Sequence, residues 1–391
     1  MYKIKTFNQI ALKGLERFPR DQFEVSSESS EPHAILLRSH KLAEADLTRS
    51  LRAIARAGAG VNNVPVEACT GKGIVVFNTP GANANSVKEL VLTALLLASR
   101  DVVGGVAYVR SLSGISDEAE LNRLVEAEKK RFGGCELKGK ALGVVGLGAI
   151  GSLVARAALD LGMDVLGYDP AISVDAAWRL PSEVQRMENL PSLFARADYV
   201  TLHVPLLPET TGMINEASLR AFRPGSVLLN FARQPIVDTR ALHAALSDGR
   251  IGRYVADFPV PELLDDPRVL LTPHLGASTE EAEENCAVMA AEQLVDFLRS
   301  GNIRNSVNFP SVSLDSTGGY RLAVTNRNVP GMLNKITSVL AQRQINVVDM
   351  INKSRGDVAY NLIDVADEVD QASIDEICGI DSVMNVREFR I

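Results

Sequence analysis

A glycine-rich turn after a predicted buried strand constrains this fold more than any other feature. The apolar residues 141–145 predict the strand, and Gly146-Leu147-Gly148-Ala149-Ile150-Gly151 follows directly and opens a helix. The glycines allow a tight turn, close approach of a pyrophosphate to the backbone, and close helix–strand packing. Asp169 ends a second predicted strand, 18 positions after Gly151 (169 − 151), where an acid would accept hydrogen bonds from ribose hydroxyls. A lone glycine motif could be an ordinary turn, but the full strand–helix–strand–acid order favours a dinucleotide site.

Length, composition and charge restrict the class of protein. With 391 residues the chain is long for a single core, which predicts two or three domains. A formal net charge of −7 provides no basic surface for nucleic acid or an anionic membrane. No apolar run reaches transmembrane length, the N-terminus lacks the apolar segment of a signal peptide, and the four cysteines form no C-x-x-C pair. We therefore expect a cytoplasmic protein with reduced thiols and with neither nucleic acid nor membrane as partner.

Alternating strands and helices organise most of the chain. This alternation over residues 1–95 and again over 141–275 predicts two parallel sheets covered by helices. A long helix from residue 280 follows the nucleotide domain, so we expect a discontinuous first domain, 1–95 with 280–310, around a nucleotide-binding domain of 96–279. After a polar linker, residues 320–391 show a β-α-β-β-α-β order. The predicted fold class is α/β: two doubly wound parallel-sheet domains, Rossmann-like or flavodoxin-like, and a ferredoxin-like C-terminal domain.

One predicted helix is apolar on nearly all sides. Ser86 and Glu89 have the spacing of a capping box that would open it, and apolar residues follow at helical intervals. A helix of this composition is expected to be buried, between domains or between subunits.

Three side chains suited to hydride-transfer chemistry follow predicted strands of the nucleotide domain: Arg233, Glu262 and His274. A nicotinamide exchanges hydride with a carbon that bears oxygen, which requires a proton-transfer group and a cation that holds a carboxylate. Imidazole suits the proton, a neighbouring carboxylate would fix its tautomer, and guanidinium suits the carboxylate. The alternative, purely structural roles are a helix cap for His274 and a surface ion pair for Arg233. His203 also ends a strand and is a rival base, although its position better suits a cofactor-lining loop.

Other catalytic chemistries have no supporting motif. The five histidines show neither H-x-x-x-H spacing nor clustering with cysteine, so no metal site is predicted. The chain also lacks a G-x-S-x-G elbow and a P-loop.

Together these motifs resemble the D-isomer-specific 2-hydroxyacid dehydrogenase family. The resemblance covers essentially the whole chain and is carried by residues 56–63, 78–83, 146–151 with Asp169, 203–206, 230–233 and 272–274. It is greatest to members with a C-terminal ACT domain, a regulatory fold that usually pairs across a dimer and binds an amino acid. The resemblance implies NAD-dependent oxidation of 3-phosphoglycerate to 3-phosphohydroxypyruvate, the first step of serine synthesis. It also implies a homodimer or homotetramer.

The resemblance assigns roles to individual residues. Arg233 would bind the substrate carboxylate and carbonyl, His274 would be the acid/base, and Glu262 would support it. The cofactor would be bound by Gly146, Gly148, Ala149, Ile150, Gly151, Asp169, His203, Phe231, Ala232, Arg233, Asp257 and Gly276. The substrate phosphate and carboxylate would be bound by Arg38, Ser39, Arg56, Ala57, Gly58 and Asn83. A serine effector would contact Asn328 and Asn346 in the ACT domain, residues 320–391.

Three positions depart from the family pattern. Gln234 stands where a glycine usually follows the catalytic arginine. The usual Asp-Val-Phe-x-x-Glu-Pro is replaced by residues 257–263, in which Glu262 keeps its five-residue offset from Asp257 (262 − 257) but the local sequence differs. Asn326 replaces the first histidine of the effector motif.

Two alternatives to this function stay open. The first is the same chemistry on another 2-hydroxy acid, such as glycerate, against which Arg38, Arg56 and the regulatory domain argue weakly. The second is a non-catalytic NAD-sensing protein similar to the corepressors of the family. The complete set of arginine, glutamate and histidine, and the absence of corepressor-type tails, disfavour it.

Overall fold

The computed structural model describes residues 1–178, 180–316 and 318–391. The strands within these ranges are β1 (Tyr2–Thr6), β2 (Phe23–Ser26), β3 (Ala34–Leu37), β4 (Ala53–Arg56), β5 (Val75–Phe77), β6 (Ala141–Val145), β7 (Asp164–Tyr168), β8 (Gln185–Arg186), β9 (Tyr199–Leu202), β10 (Ser226–Asn230), β11 (Ile251–Ala256), β12 (Val269–Leu271), β13 (Tyr320–Arg327), β14 (Val347–Arg355), β15 (Val358–Val365) and β16 (Val383–Arg390). The helices are α1 (Leu12–Leu15), α2 (Val66–Gly71), α3 (Ala84–Ser99), α4 (Val102–Ser111), α5 (Glu118–Glu128), α6 (Ala149–Asp160), α7 (Val174–Trp178), α8 (Leu190–Arg196), α9 (Glu216–Leu219), α10 (Thr239–Ser247), α11 (Glu280–Ser300), α12 (Met332–Gln342) and α13 (Gln371–Cys378).

The chain forms two compact units, one of Met1–Asn83 with Glu280–Ile391 and the other of Ala84–Thr279. The first unit contains a five-stranded parallel sheet in the order β2-β1-β3-β4-β5. Helix α11 packs on this sheet, and its small and apolar residues share one core with Ile4, Leu36 and Phe77. Helix α11 therefore returns the chain to its first unit.

The C-terminal part of the first unit is a four-stranded antiparallel sheet in the order β14-β15-β13-β16. One face buries Leu322, Val324 and Ile363 under α12 and α13. The other face contributes Tyr360 and Phe389 to the core around α11. This arrangement confirms the predicted β-α-β-β-α-β domain.

The C-terminal end of α11 is bound by side chains from this second sheet. Arg387 Nη2 lies 3.4 Å from the carbonyl oxygens of both Phe297 and Leu298. Arg321 donates to the Ser300 carbonyl at 3.2 Å, and the Tyr360 hydroxyl donates to the Gly301 carbonyl at 2.7 Å. The last carbonyls of a helix have no partner within the helix and carry partial negative charge, so these donors and cations stabilise the helix end.

The second unit is built on a seven-stranded sheet in the order β12-β11-β10-β9-β6-β7-β8, in which every neighbouring pair is parallel. Residues of α3 and α6 form the core on one face, and residues of α8, α9 and α10 form the core on the other. The strand order reverses beside β6, which creates the switch point where such sheets bind ligands. This topology confirms the predicted doubly wound fold.

Helix α3 belongs to the second unit, whereas the sequence prediction ended the first domain at residue 95. Its residues Val91 and Leu95 are fully buried in one core with Leu142 and Val144 of β6. The predicted capping box at Ser86 is wrong, because α3 begins at Ala84 and Ser86 is buried inside the helix. Within the described ranges no single helix could span a membrane by length and composition; α3 and α4 meet that test only as a pair bent by 67°.

Candidate active site

The glycine turn between β6 and α6 leaves open space at the start of the helix. Gly146 has φ +91°, and a Cβ there would lie 2.6 Å from the His203 carbonyl oxygen. A Cβ on Gly151 would lie 1.9 Å from the Gly146 carbonyl oxygen, so both positions require glycine. A Cβ on Gly148 would meet no protein atom within 4 Å. The room above Gly148, at the N-terminus of α6, fits the pyrophosphate of a dinucleotide.

Asp169 is bound to the glycine turn. Its Oδ2 accepts a hydrogen bond from the Leu147 N–H at 2.8 Å, and its Oδ1 accepts one from the Ala171 N–H at 2.9 Å. A carboxylate has about four acceptor positions, so these two bonds leave capacity for ribose hydroxyls. The acid predicted from sequence therefore also fixes the turn that it accompanies.

His203 is a part-buried histidine that follows β9. The backbone N–H of His203 donates to the Val145 carbonyl at 2.8 Å, and the ring Nε2 lies 2.9 Å from the Thr201 hydroxyl oxygen. Its Nδ1 is buried and has no hydrogen-bond partner among the described residues. Burial lowers the pKa of His203 to about 3. An imidazole with this pKa does not carry a proton at neutral pH, which disfavours His203 as the rival acid/base.

Arg233 is held by the turn that follows β10. Its Nη1 donates to the Ala232 carbonyl at 2.7 Å, and burial lowers the pKa of the half-buried guanidinium. The fully buried Asn230 donates to the Arg233 carbonyl at 3.0 Å and accepts from the Ala232 N–H at 3.1 Å. Because Arg233 forms no ion pair with any described residue, its charge is available for a carboxylate. Asn230 was not predicted to belong to the site, although a polar residue that ends an apolar strand can indicate such a role.

Asp257 holds the loop that carries His274. It is 3% exposed and accepts hydrogen bonds from Thr272 Oγ1 at 2.5 Å, Leu275 N–H at 2.7 Å and Gly276 N–H at 2.6 Å. His274 lies inside this loop with φ +60°, a conformation that non-glycine residues adopt at some cost. The three hydrogen bonds fix the conformation of this loop. The His274 side chain is exposed, and its ring packs on Phe258 with 5.1 Å between the ring centroids.

Glu262 lies apart from this network. It is exposed on the short turn Pro261–Leu263 and forms neither a hydrogen bond nor an ion pair with His274 in the described structure. Catalytic hydrogen bonds often tighten only when substrate is bound, so the role of Glu262 as the partner of His274 stays a prediction.

The residues assigned to the substrate phosphate lie at the carboxyl edge of the five-stranded sheet. Arg56 Nε donates to the Arg38 carbonyl at 3.0 Å, which ties the ends of β3 and β4 together. Arg38 Nη1 forms an ion pair with Glu283 Oε1 at 2.7 Å, and both side chains are part-exposed. Glu283, in the first turn of α11, was not predicted to belong to this region.

The remaining substrate candidates are mostly backbone groups of the same edge. The Ser39 N–H donates to Asn8 Oδ1 at 3.1 Å, and the Ala57 N–H donates to the Leu37 carbonyl at 2.8 Å. Gly58 has φ +147°, and the Asn83 side chain forms no hydrogen bond with any described residue.

The effector candidates lie on loops of the C-terminal sheet. Asn328 and Asn346 are both exposed, and Asn328 Nδ2 donates to the Gly356 carbonyl at 3.1 Å. Asn326, which replaces the histidine of the family motif, is 2% exposed and accepts from Asn361 Nδ2 at 2.8 Å. Asn326 is therefore part of the sheet interior.

The arrangement in the second unit can bind a carboxylate and move a proton. The glycine turn, Asp169, His203, Arg233, Asp257 and His274 all follow strands β6, β7, β9, β10, β11 and β12 at one edge of one sheet. No group of three His, Cys, Asp or Glu side chains in the described residues could hold a metal ion.

A doubly wound sheet with a glycine turn, an acid, an arginine and a histidine at its carboxyl edge defines an α/β dinucleotide-binding protein. Residues 105–276 match the family model "D-isomer specific 2-hydroxyacid dehydrogenase, NAD binding domain", and residues 320–377 match the ACT domain model. The chain belongs to the D-isomer-specific 2-hydroxyacid dehydrogenase family, and the cofactor of its nucleotide-binding domain is NAD. The predicted family, ACT domain and cofactor are thereby confirmed.

Similar proteins carry a consistent name. The D-3-phosphoglycerate dehydrogenase of Haemophilus influenzae is 35% identical over 342 residues, which are 83% of this chain and 79% of that protein. The enzyme of the same name from Methanocaldococcus jannaschii is 38% identical over 274 residues, or 68% of this chain and 49% of that protein. The crystal structure of NAD+-bound 3-phosphoglycerate dehydrogenase from Entamoeba histolytica is similar with a TM-score of 0.61 and 26% identity, covering 78% and 98% of the two chains. The chain spans about half the length of several curated relatives that it matches.

Proposed function

We propose that this protein catalyses the NAD-dependent oxidation of 3-phosphoglycerate to 3-phosphohydroxypyruvate, the first step of serine synthesis, in the cytoplasm. The reaction type is supported mainly by one observation. Arg233, which forms no ion pair with a described residue, and His274, whose loop is fixed by Asp257, lie at the same carboxyl edge of the seven-stranded sheet as the glycine turn. The substrate is supported by the relatives named above and by two arginines, Arg38 and Arg56, at the edge of the other parallel sheet.

The side chains divide the work as follows in this proposal. Arg233 binds the substrate carboxylate and stabilises the carbonyl that develops at C2. His274 accepts the proton of the C2 hydroxyl. When bound, NAD supplies the acceptor of the C2 hydride. Arg38 and Arg56 hold the phosphate.

The cofactor would be held by the residues whose geometry fits it. The open space above Gly148 and the N-terminal N–H groups of α6 suit the pyrophosphate. The remaining acceptor capacity of Asp169 suits the ribose, and its charge disfavours the extra phosphate of NADP. Phe231, Ala232, Asp257 and Gly276 would line the nicotinamide end.

Steady-state rates with NAD and 3-phosphoglycerate, glycerate or lactate test the proposal. We expect kcat/KM to be highest for 3-phosphoglycerate. A higher value for glycerate would show a different hydroxyacid dehydrogenase. Tight NAD binding without turnover of any of the three would show the non-catalytic NAD sensor. His274→Ala should abolish most turnover while NAD binding, followed by calorimetry, is retained.

The regulatory properties form part of the same proposal. Serine would bind the ACT domain at Asn328 and Asn346, and the protein would be a homodimer or homotetramer. Initial rates with and without millimolar serine test the first statement, and sedimentation velocity tests the second. Unchanged rates in serine would contradict the effector role.

A further inference from the structure

A cavity of about 420 Å³ lies at the opposite edge of the seven-stranded sheet. Its lining comes from the end of α3 and from residues that precede or begin β6, β9, β10 and β11. The charged and polar side chains in the lining include Arg100, Lys140, Arg253, Cys135 and Ser226. The cofactor residues follow the carboxyl ends of the same strands. Because a five-residue strand spans roughly 17 Å, the two locations are separate.

The lining of this cavity is basic, although the whole chain is acidic. Four cations, Arg100, Lys140, Arg223 and Arg253, and one acid, Asp198, contribute to it. Asp198 is already paired with Arg223 at 2.7 Å. In the described part of the chain, neither Arg100 nor Lys140 forms an ion pair.

Arg253 is fixed beside these two cations. Its Nη1 donates to the Leu97 carbonyl at 3.2 Å, and the nearest carboxylate oxygen, on Asp101, is 4.0 Å from its Nη2. The guanidinium is thus oriented by a neutral carbonyl and only weakly compensated in charge.

A buried hydroxyl in the same lining lacks a partner. Ser226 is 3% exposed, and its Oγ forms no hydrogen bond with any described residue. Leaving a buried hydroxyl unpaired costs about 1–3 kcal/mol, so an acceptor atom of a ligand would offset this cost. The neighbouring Tyr199 stays neutral because burial raises its pKa, and its hydroxyl oxygen lies 3.4 Å from Cys135 Sγ.

We propose that this cavity binds a small organic anion with more than one negative charge, either a phosphate compound or a polycarboxylate. Arg100, Lys140 and Arg253 provide the charge, and the Ser226 hydroxyl donates a hydrogen bond to the anion. The cavity volume lies in the range of small-molecule sites and exceeds that needed for one inorganic ion. Ser226 begins β10, the strand that ends at Asn230 beside Arg233, so the ligand would contact one end of a strand whose other end positions Arg233.

Alkylation of Cys135 provides a direct measure of occupancy. Cys135 and Cys378 are exposed, whereas Cys69 and Cys286 are buried, so Cys378, at the end of α13 in the other unit, is an internal control. The experiment uses the full chain with saturating NAD, which blocks the phosphate site at the glycine turn, and iodoacetamide as the neutral reagent. Inorganic pyrophosphate and citrate are the probes, compared with chloride at equal ionic strength, and each cysteine is quantified by peptide mass spectrometry.

We expect a bound probe to slow Cys135 only. A probe at about twice its dissociation constant should reduce the Cys135 rate about threefold and leave the Cys378 rate unchanged. Protection by pyrophosphate alone would identify a phosphate site, and protection by citrate alone a carboxylate site. The variant R100Q/K140Q should lose the protection, and S226A should weaken it. The control K130Q/K138Q removes the same charge from nearby exposed lysines and should keep it.

Four results would overturn the proposal. The first three are an unchanged Cys135 rate with both probes, equal slowing of Cys378, and full protection in R100Q/K140Q. Protection of Cys135 without any probe that increases with protein concentration would also overturn it, because a second copy of the chain would then cover the cavity. NAD binding by each variant, measured by calorimetry, checks that the variants are folded.

Discussion

The Asp257 carboxylate determines where His274 lies without touching its ring. Asparagine at this position offers one acceptor oxygen where the carboxylate accepts three hydrogen bonds, so the loop must rearrange. We expect Asp257→Asn to lower the free energy of unfolding by about 2 kcal/mol. We also expect kcat to fall by more than KM changes, because the acid/base group is displaced. Urea denaturation and steady-state kinetics measure the two effects.

Asp238→Asn is the matched control for this substitution. Asp238 caps α10 by accepting from the Ala241 N–H at 3.0 Å, and asparagine is an equally good cap. This variant should retain the stability and the kcat of the parent protein. A normal kcat in Asp257→Asn would show that the loop does not need its carboxylate.

His203 makes the stability of the protein depend on pH. Burial lowers the pKa of His203 to about 3, whereas an unfolded histidine titrates near 6.5, so between these values the unfolded chain binds one more proton. The free energy of unfolding should therefore decrease as pH falls below 6.5, by at most about 1.4 kcal/mol per pH unit from this residue. His203→Gln should lose this contribution. Urea denaturation of both proteins at pH 7 and pH 5 measures it, and parallel pH profiles would contradict it.

At the scale of elements, the glycine turn separates the requirements of folding from those of the cofactor. A Cβ on Gly151 would collide with the backbone, but a Cβ on Gly148 would occupy only the open space. Gly151→Ala should therefore lower the melting temperature of the protein. Gly148→Ala should leave it unchanged and weaken NAD binding at least tenfold, roughly 1.4 kcal/mol. Differential scanning fluorimetry and NAD titration measure both.

Gly114→Ala is a control for these variants, because a Cβ at Gly114 also meets no atom within 4 Å and lies outside the turn. Both NAD affinity and melting temperature should be retained in it. Equal NAD affinity in Gly148→Ala and the parent protein would argue that the pyrophosphate does not lie over this residue.

The elements that the sequence predicted were those with a strong periodic signal. The apolar strands of both parallel sheets, the glycine turn and the C-terminal β-α-β-β-α-β order occur as expected. Strand β2 and the two-residue β8 contain no continuous apolar run, so the local sequence does not predict them. They exist because they pair with β1 and β7, and such pairing is a tertiary property that local sequence does not encode.

The same limit applied to the candidate site. Residues that follow strands could be assigned from sequence, because parallel strands bring their carboxyl ends to one edge. The contacts between these residues could not be predicted, because each joins residues that are distant in the chain. Examples are the bond of Asp169 to the Leu147 N–H, the bond of Asp257 to the loop of His274, and the ion pair of Glu283 with Arg38. The boundary at residue 84 was missed for the same reason, since helical periodicity does not reveal which sheet an apolar helix packs on.

At the scale of the whole molecule, Arg321 connects the C-terminal sheet to the rest of its unit, because it forms a buried ion pair with Asp364 on the neighbouring strand β15 and donates to the Ser300 carbonyl at the end of α11. Arg321 Nε lies 2.5 Å from Asp364 Oδ1, and the two side chains are 1% and 0% exposed. Arg321→Met removes the buried cation that pairs with Asp364, and the free energy of unfolding should fall by about 3–5 kcal/mol. Chemical denaturation measures the loss. NAD affinity should not change, because the cofactor residues belong to the other unit.

Arg390→Met serves as the comparison for Arg321→Met, because Arg390 is an exposed arginine on β16, the strand that pairs with the strand of Arg321. Its stability should stay within about 0.5 kcal/mol of the parent. If Arg321→Met were equally mild, the pair would contribute no net stability to the unit.

The binding of the α11 terminus by Arg321, Tyr360 and Arg387 has a consequence for chain engineering. A protein cut before residue 320 would expose the carbonyls of Phe297, Leu298, Ser300 and Gly301 without their donors, so the last turn of a core helix would fray. The ACT domain therefore cannot be removed without destabilising the end of α11. Transplanting it onto another dehydrogenase would require grafting the final turn of α11 with it, and the natural splice site lies within that helix rather than in the linker.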